Sequence, residues 1–356
     1  MLIRPRLLVD EHRCRRNIER IAEKADRSNT QFRPHFKTHQ SVEIGRWFQD
    51  YGVTGITVSS PEMAAYFAQD GWKDITIAFP FYPGMVKQLK ELNKTCSLRV
   101  FVNSADDLEV LQNHLQNPVR IYIELDAGYG RSGLSTSKPE AIHKLIRDME
   151  RYPIAHFHGF YIHDGDTYSA RNRKHILDKV QRSIDALQYW KNEYPSAKIS
   201  LGDTPSASVI ETFSGIDECT PGNLVFYDRM QVAIGSCTPD DMALFAELPI
   251  AQHFPGQNRA IVHGGAAHLS KDSIETEGIK IFGQRVVRTD NKVELMDDSY
   301  LTALSQEHGT LSGTDGLEPD RQKTVLIAPV HSCLTANLFS SYETFGGRTI
   351  QKRVLS

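Results

Sequence analysis

The sequence predicts an α/β fold joined to a β fold. A (β/α)8 barrel of the TIM type is expected over residues 10–240, and a mainly antiparallel β domain over 241–356. Three observations lead there. From about residue 12 to 240, short β-rich apolar runs alternate eight times with helical patterns, and parallel strands need helical crossovers. Beyond residue 245, Val and Ile runs near 259–263, 279–287 and 323–331 are parted by Gly, Asp and Asn turns, with no strong helical period. No Gly-x-Gly-x-x-Gly follows an early strand, which weighs against the runner-up, an open doubly wound sheet of the dinucleotide-binding kind.

The elements follow in order. Arg6-Leu-Leu-Val9 is a short apolar run that suits a strand of either domain. Strand candidates are then 32–36, 55–58, 75–79, 98–102, 120–125, 155–161, 198–201 and, less clearly, 215–219. Helix starts stand between them. Ser60-Pro61-Glu62 offers a cap followed by proline at the first helical position, and Ser104-Ala-Asp-Asp107 and Ser137-Lys-Pro139-Glu140 read similarly.

Bulk properties narrow the function. The chain has 356 residues, 40% of them hydrophobic, enough for two cores. A net charge of −3, from 41 basic and 44 acidic residues, leaves no footprint for nucleic acid or an anionic membrane. No run approaches the ~18 apolar residues of a membrane span, and Met-Leu-Ile-Arg-Pro-Arg lacks the apolar core of a signal peptide. Five widely spaced cysteines without a CxxC favour reduced thiols and a cytoplasmic protein. The expected partner is a small molecule.

The chemistry begins at Phe32-Arg-Pro-His-Phe-Lys-Thr-His39. In an extended strand, Arg33, His35, Lys37 and His39 share one face. An amine among cations has its protonated form disfavoured, so Lys37 suits nucleophilic attack on a carbonyl, and an anionic ligand such as a phosphate would relieve the repulsion. The alternative is a solvated basic edge. In a barrel, Lys37 lies at the carboxyl end of strand one, where such active sites are built.

Two segments then read as phosphate loops: Gly202-Asp-Thr204-Pro-Ser206 after strand seven, and Thr220-Pro-Gly222-Asn223 after strand eight. Barrels often bind phosphate there, although Thr-Pro-Gly-Asn is also an ordinary turn. Asp126-Ala-Gly-Tyr-Gly-Arg131-Ser-Gly133 follows strand five, and Arg131 is able to address a carboxylate or a cofactor hydroxyl. Tyr161 and His163 end strand six on one face and so both reach the mouth, unless Tyr161 is a plain core tyrosine.

His331-Ser-Cys333 lies in the β domain. In an extended segment its imidazole and thiolate fall on one side, half of a tetrahedral zinc site with positions left open. A buried thiol beside a hydrogen-bonded histidine is the bland reading. Glu307-His308-Gly309 upstream offers groups supporting that site, or a turn.

These motifs resemble those of D-threonine aldolases and eukaryotic-type D-serine dehydratases. Both are fold-type III pyridoxal-phosphate enzymes related in architecture to alanine racemase. The resemblance rests on Pro34-His-Phe-Lys-Thr-His39, Asp126-x-Gly-x-x-Arg131-x-Gly133, Tyr161-x-His163-x-Gly165, Thr204-Pro-Ser206, Pro221-Gly-Asn223, Gln306-Glu-His-Gly309 and Pro329-x-His-x-Cys333. They keep the family order over almost the whole chain. By resemblance, Lys37 holds the cofactor covalently, Arg131 lies beside it, and Tyr161 faces the pyridine nitrogen. Gly202, Thr204, Ser206, Gly222 and Asn223 form the phosphate cup. His331 and Cys333 are the zinc pair, for which another divalent metal is the alternative. Family aldolases carry an aspartate where Cys333 stands, which tilts the reading toward dehydration. His263-Gly-Gly-Ala-Ala-His-Leu-Ser-Lys271 does not read like the corresponding stretch of either enzyme.

The implied activity is β-elimination of water from a D-3-hydroxy amino acid, D-serine or 3-hydroxy-D-aspartate, giving a 2-oxo acid and ammonia. Lys37 serves as base at Cα, and zinc polarises the β-oxygen. The alternative is retro-aldol cleavage to glycine and an aldehyde, with His163 or a metal-generated base acting on the β-hydroxyl. An amino-acid racemase and a non-catalytic pyridoxal-phosphate carrier are the further alternatives. Fold-type III relatives imply a homodimer.

Overall fold

The computed structural model describes residues 4–289, 292–318 and 323–353. It forms two compact units, residues 19–222 and residues 1–18 with 223–356. The sequence-based boundaries at 10 and 240 differ from this division, in which 10–18 and 223–240 group with the β unit. The reason is side-chain bonding between segments far apart in sequence. Asp10 accepts from Arg288 at 2.7 Å, Asn17 donates to the Asp241 carbonyl at 2.7 Å, and Asn223 donates to Ser332 at 3.0 Å. Neither composition nor periodicity registers such bonds.

The 19–222 unit is the expected barrel. Its parallel strands are β1 (Gln31–Phe32), β2 (Gly55–Val58), β3 (Asp74–Pro80), β4 (Ser97–Phe101), β5 (Val119–Asp126), β6 (Ala155–His163), β7 (Lys198–Gly202) and β8 (Glu218–Cys219). They are ordered β1-β8-β7-β6-β5-β4-β3-β2, and a bridge between His35 and Thr57 joins the two ends. Strand one is shorter than 32–36 because Pro34 has no N–H to add to a ladder. Past His35 the chain turns at once, over residues 36–39. Helix starts follow the expected chemistry at two of three places. Ser60 accepts from Met63 N–H and Ser104 from Asp107 N–H. Before Pro139–Met149 the capping position is Lys138, which makes no side-chain cap, and Ser137 turns to Ser135 instead.

A charged network lies among the strand starts. Arg33, wholly buried, pairs with Asp74 at 2.7 Å and Glu218 at 3.4 Å, while Tyr122 donates to Glu218 at 2.7 Å. Burial would raise the Glu218 carboxyl, but the hydrogen bond from His158 and the Arg33 and Arg99 charges hold it down to about 2. Arg33 therefore belongs to this network and not to a basic face shared with Lys37. His39 also leaves that face, packing its ring against Phe36 (4.4 Å) and Phe48 (5.7 Å) in the apolar core.

The other unit is a mainly antiparallel sheet. Strands run in the order 259–263, 308–312, 293–304, 283–288, 324–329, 244–254, 6–9, 341–344, 349–351. The first six close on themselves, because 244–254 also pairs with 259–263 through a bulge at 250–252. Arg6–Val9 belongs to this sheet, antiparallel to 244–247. Among the described residues no helix is long and apolar enough to cross a membrane.

Candidate active site

Lys37, Arg131, Tyr161 and His163 lie near or beyond the carboxyl ends of their strands, the end on which TIM barrels build their sites. Lys37 stands exposed in the turn after β1, Arg131 in the loop after β5, and Tyr161 and His163 at the end of β6. The loop after β5 folds tightly because Asp126 Oδ1 accepts from Gly128 N–H (2.9 Å) and Gly130 N–H (3.0 Å). Gly133 must be glycine, with φ +95° and the Glu124 carbonyl 2.7 Å from where a Cβ would stand. That loop sets the Arg131 guanidinium 3.6 Å from buried Glu124 and beside the Tyr129 ring.

Electrostatics tie these groups together. Burial lowers His35 well below its ordinary value, and the charges of Lys37, His163 and Arg131 add to the shift. Burial, then Arg131 and Lys37, push His163 down to about 3, so its ring is neutral at physiological pH. Arg131 and His163 line one small pocket between the loop after β5 and the end of β6. Of the four basic residues expected on one face, His35 and Lys37 remain in the site, and Arg131 and His163 join them from other strands.

The loops after β7 and β8 carry the anion-binding features. Asp203, at φ +156°, accepts from Ser206 N–H (2.6 Å) and Thr167 Oγ1 (3.1 Å). The Thr204 and Ser206 hydroxyls and Asp203 Oδ2 are buried with no hydrogen-bond partner. Burial and the nearby Asp164 charge raise the Asp203 carboxyl well above its usual range, which lessens its penalty beside an anion. Two orphaned buried hydroxyls are donors of the kind a phosphate needs. Glycine is required in both loops. A Cβ on Gly202 would meet Tyr161 Oη at 2.2 Å and Thr220 Oγ1 at 2.6 Å, and one on Gly222 would meet the His35 carbonyl at 2.6 Å. Tyr161 is buried, tilted on Phe101 at 4.6 Å and accepting from Thr220 at 3.4 Å. These residues fit pyridoxal phosphate: an amine at Lys37, hydroxyls for the phosphate, and a phenol against Gly202.

Asn223 departs from the expected cup. Its amide donates to Asp228 (2.7 Å), Ser332 (3.0 Å) and Cys333 (3.5 Å), so the side chain serves the 331–333 segment. That segment is not an extended strand either. His331 is extended, but Ser332 opens the helix Ser332–Asn337, its N–H held by Asp228 at 2.9 Å. The first helical turn, and not strand alternation, brings imidazole and thiol together. Asp272, missed in the sequence, accepts from His331 Nδ1 at 2.7 Å. Burial works against the imidazolium, but the bonds to Asp272 and Cys333 outweigh it and push His331 up to about 11. A divalent metal replaces such a shared proton readily, and carboxylate–imidazole backing is the usual support of a metal-bound histidine. The donor set therefore fits a metal.

Residues 9–229 match the family model for the alanine racemase N-terminal domain. The chain belongs to that family. Residues 243–345 match a serine dehydratase domain, so the resemblance read from the motifs holds along the chain. It is an enzyme of the pyridoxal-phosphate-dependent lyase class. D-serine dehydratase of Dictyostelium discoideum is 27% identical, over 95% of this chain and 92% of that protein. D-threo-3-hydroxyaspartate dehydratase of Delftia sp. is also 27% identical, over 95% and 93%. The Delftia structure superposes with a TM-score of 0.85, covering 100% of this chain and 99% of that one. A cysteine-to-alanine mutant of it is described as being in the metal-free form. D-threonine aldolase of Filomicrobium marinum, at 20% identity and TM-score 0.82 over 97% and 93%, shares the fold.

Proposed function

We propose that this enzyme removes water from a D-3-hydroxy amino acid, releasing a 2-oxo acid and ammonia. The observation that carries this reading is the His331–Cys333 pair backed by Asp272 at 2.7 Å. A thiolate in that pair suits zinc, whereas the family's aldolases carry aspartate there.

Bound pyridoxal phosphate supplies an electron sink for negative charge at the substrate Cα. Lys37 Nζ would hold the cofactor, and as a free amine it would take the proton from the substrate Cα. Tyr161, its phenol pushed above the usual range by burial, keeps its proton and would be available to donate to the cofactor. The Thr204 and Ser206 hydroxyls and the backbone at Gly222 and Asn223 receive the phosphate. Arg131 orients the substrate carboxylate or a cofactor oxygen. His331 and Cys333 would hold a zinc ion, or another divalent metal, a Lewis acid of the kind that eases loss of a poor leaving group such as hydroxide. The neutral His163 ring contributes shape and hydrogen bonding. Burial holds the ring neutral and makes it a weak base for a β-hydroxyl.

The retro-aldol reading keeps one support, since 3-hydroxy-D-aspartate aldolase of Paracoccus denitrificans is 25% identical over 95% of this chain. The test is a screen of D- and L-3-hydroxy amino acids, including D-serine, D-threo-3-hydroxyaspartate and D-threonine, with and without zinc. Zinc-dependent ammonia and 2-oxo acid from D-substrates support the proposal. Glycine with aldehyde assigns the aldolase, racemised substrate a racemase, and no product a cofactor carrier. We further propose a homodimer, read by sedimentation, and a reducing compartment, consistent with five cysteines that are all thiols.

A further inference from the structure

The stretch 263–271 wraps around a second cluster of metal-binding side chains. Strand 259–263 runs antiparallel to 308–312, with His263 opposite His308. Past His263, three backbone bonds bind the chain to the facing turn. Gly264 N–H donates to the Glu307 carbonyl (2.9 Å), Ala266 N–H to Ser305 (2.8 Å) and Ala267 N–H to Gln306 (3.0 Å). A Cβ on Gly265 would stand 2.4 Å from the Gln306 carbonyl, so only glycine admits this approach. The wrap delivers His263, His268 and Glu307 to one point. His263 Nε2 lies 3.6 Å and His268 Nε2 3.8 Å from Glu307 Oε2, and the three donor atoms all fall within 4.8 Å of one another. The imidazole rings stand perpendicular, at 89°.

Two imidazoles and a carboxylate are the donor set of open zinc sites. Ligand bonds of ~2.1 Å set tetrahedral donors about 3.4 Å apart, so the two imidazole–carboxylate spacings need to contract by only a few tenths of an ångström. His268 Nδ1 is buried without a partner, so the ring's polar engagement is at this cluster. His263 and Glu307 are partly exposed, at 37% and 47%, which leaves a route for the ion and a fourth position for water.

We propose that His263, His268 and Glu307 form a second divalent transition-metal site, distinct in its donors from His331 and Cys333 and selective for zinc-like ions over magnesium or calcium. Bound there, the ion ties strand 259–263 to the 305–308 turn and stabilises the β unit.

The test counts metals on the full-length protein, stripped and then reloaded with zinc or with cobalt as a spectroscopic probe. Wild type is expected to hold two equivalents per chain. His263→Ala/His268→Ala is expected to lose one while keeping the thiolate-to-cobalt band that reports Cys333. Cys333→Ala is expected to lose that band and keep the other equivalent. Glu307→Gln, nearly isosteric, serves if the double variant does not fold, and should weaken one equivalent by at least ~10-fold. A wild type with one equivalent that survives Cys333→Ala and vanishes in the double variant keeps this inference and removes only the His331–Cys333 metal. A folded double variant matching wild type in zinc count and cobalt spectrum overturns it, as does unchanged zinc affinity in Glu307→Gln.

Discussion

Gly202→Ala is expected to destabilise the barrel through one contact, and Tyr161→Phe is expected to relieve it. The new Cβ would stand 2.2 Å from Tyr161 Oη, 2.6 Å from Thr220 Oγ1 and 2.9 Å from Tyr161 Cζ, where ordinary contact begins near 3.4 Å. The phenol oxygen is thus roughly 1 Å too close, deep in the repulsive wall. Tyr161 has no room to swing aside, being 3% exposed and packed on Phe101. Overpacking of this kind costs about 1–3 kcal/mol. Tyr161→Phe alone gives up the long bond from Thr220, worth about 0.5–1 kcal/mol. In the double variant the nearest atom is gone, so on the order of 1 kcal/mol should return as non-additivity. Urea unfolding of cofactor-free protein followed by tryptophan fluorescence reads this cleanly, because the 3 tryptophans (Trp47, Trp72, Trp190) all lie in the barrel unit. Cofactor affinity should fall in parallel, since Gly202 opens the loop carrying Thr204 and Ser206. A Gly202→Ala protein as stable as wild type, or strictly additive free energies, would refute the packing argument.

Lys37→Ala should abolish the visible absorbance of bound cofactor together with all turnover. The nearest lysine in sequence, Lys24, donates to the Ala207, Ser208 and Ile210 carbonyls and is not placed to replace it. An unchanged spectrum would remove Lys37 from the mechanism. Cys333→Ala, or a chelator, should leave the cofactor spectrum intact while elimination stops; activity indifferent to both would reduce the pair to an ordinary histidine and thiol. Asp272→Asn should bring His331 down from about 11 and weaken metal binding by roughly 10–100-fold, measured by competition with a chromophoric chelator. His163, held near 3 in the folded state, stays neutral where the unfolded chain takes up a proton, so stability should fall as pH drops below about 6.5. His163→Phe should flatten that slope, and identical slopes in the two proteins would contradict the buried neutral ring.

Local chemistry along the chain already determined the alternation of strand and helix and the barrel it implies. It also determined the caps at Ser60 and Ser104 and the glycines at 202 and 222. These depend on neighbours a few residues away, where propensity and spacing are informative. Lys37, Arg131, Tyr161 and His163 were legible for the same reason: each follows a strand end, and strand ends of a barrel converge. The tertiary structure alone decided which groups share an environment. Arg33 left the basic face because Asp74 and Glu218, distant in sequence, neutralise it, and His39 left it because a turn replaced the strand after Pro34. Asp272 stands 59 residues from its histidine, and Glu307 precedes the strand that pairs with the one ending in His263. A pairwise contact at that separation leaves no period or spacing in a single sequence. The β unit's claim on residues 4–18 has the same origin, resting on a ladder between residues 6–9 and 244–247 that only folding closes.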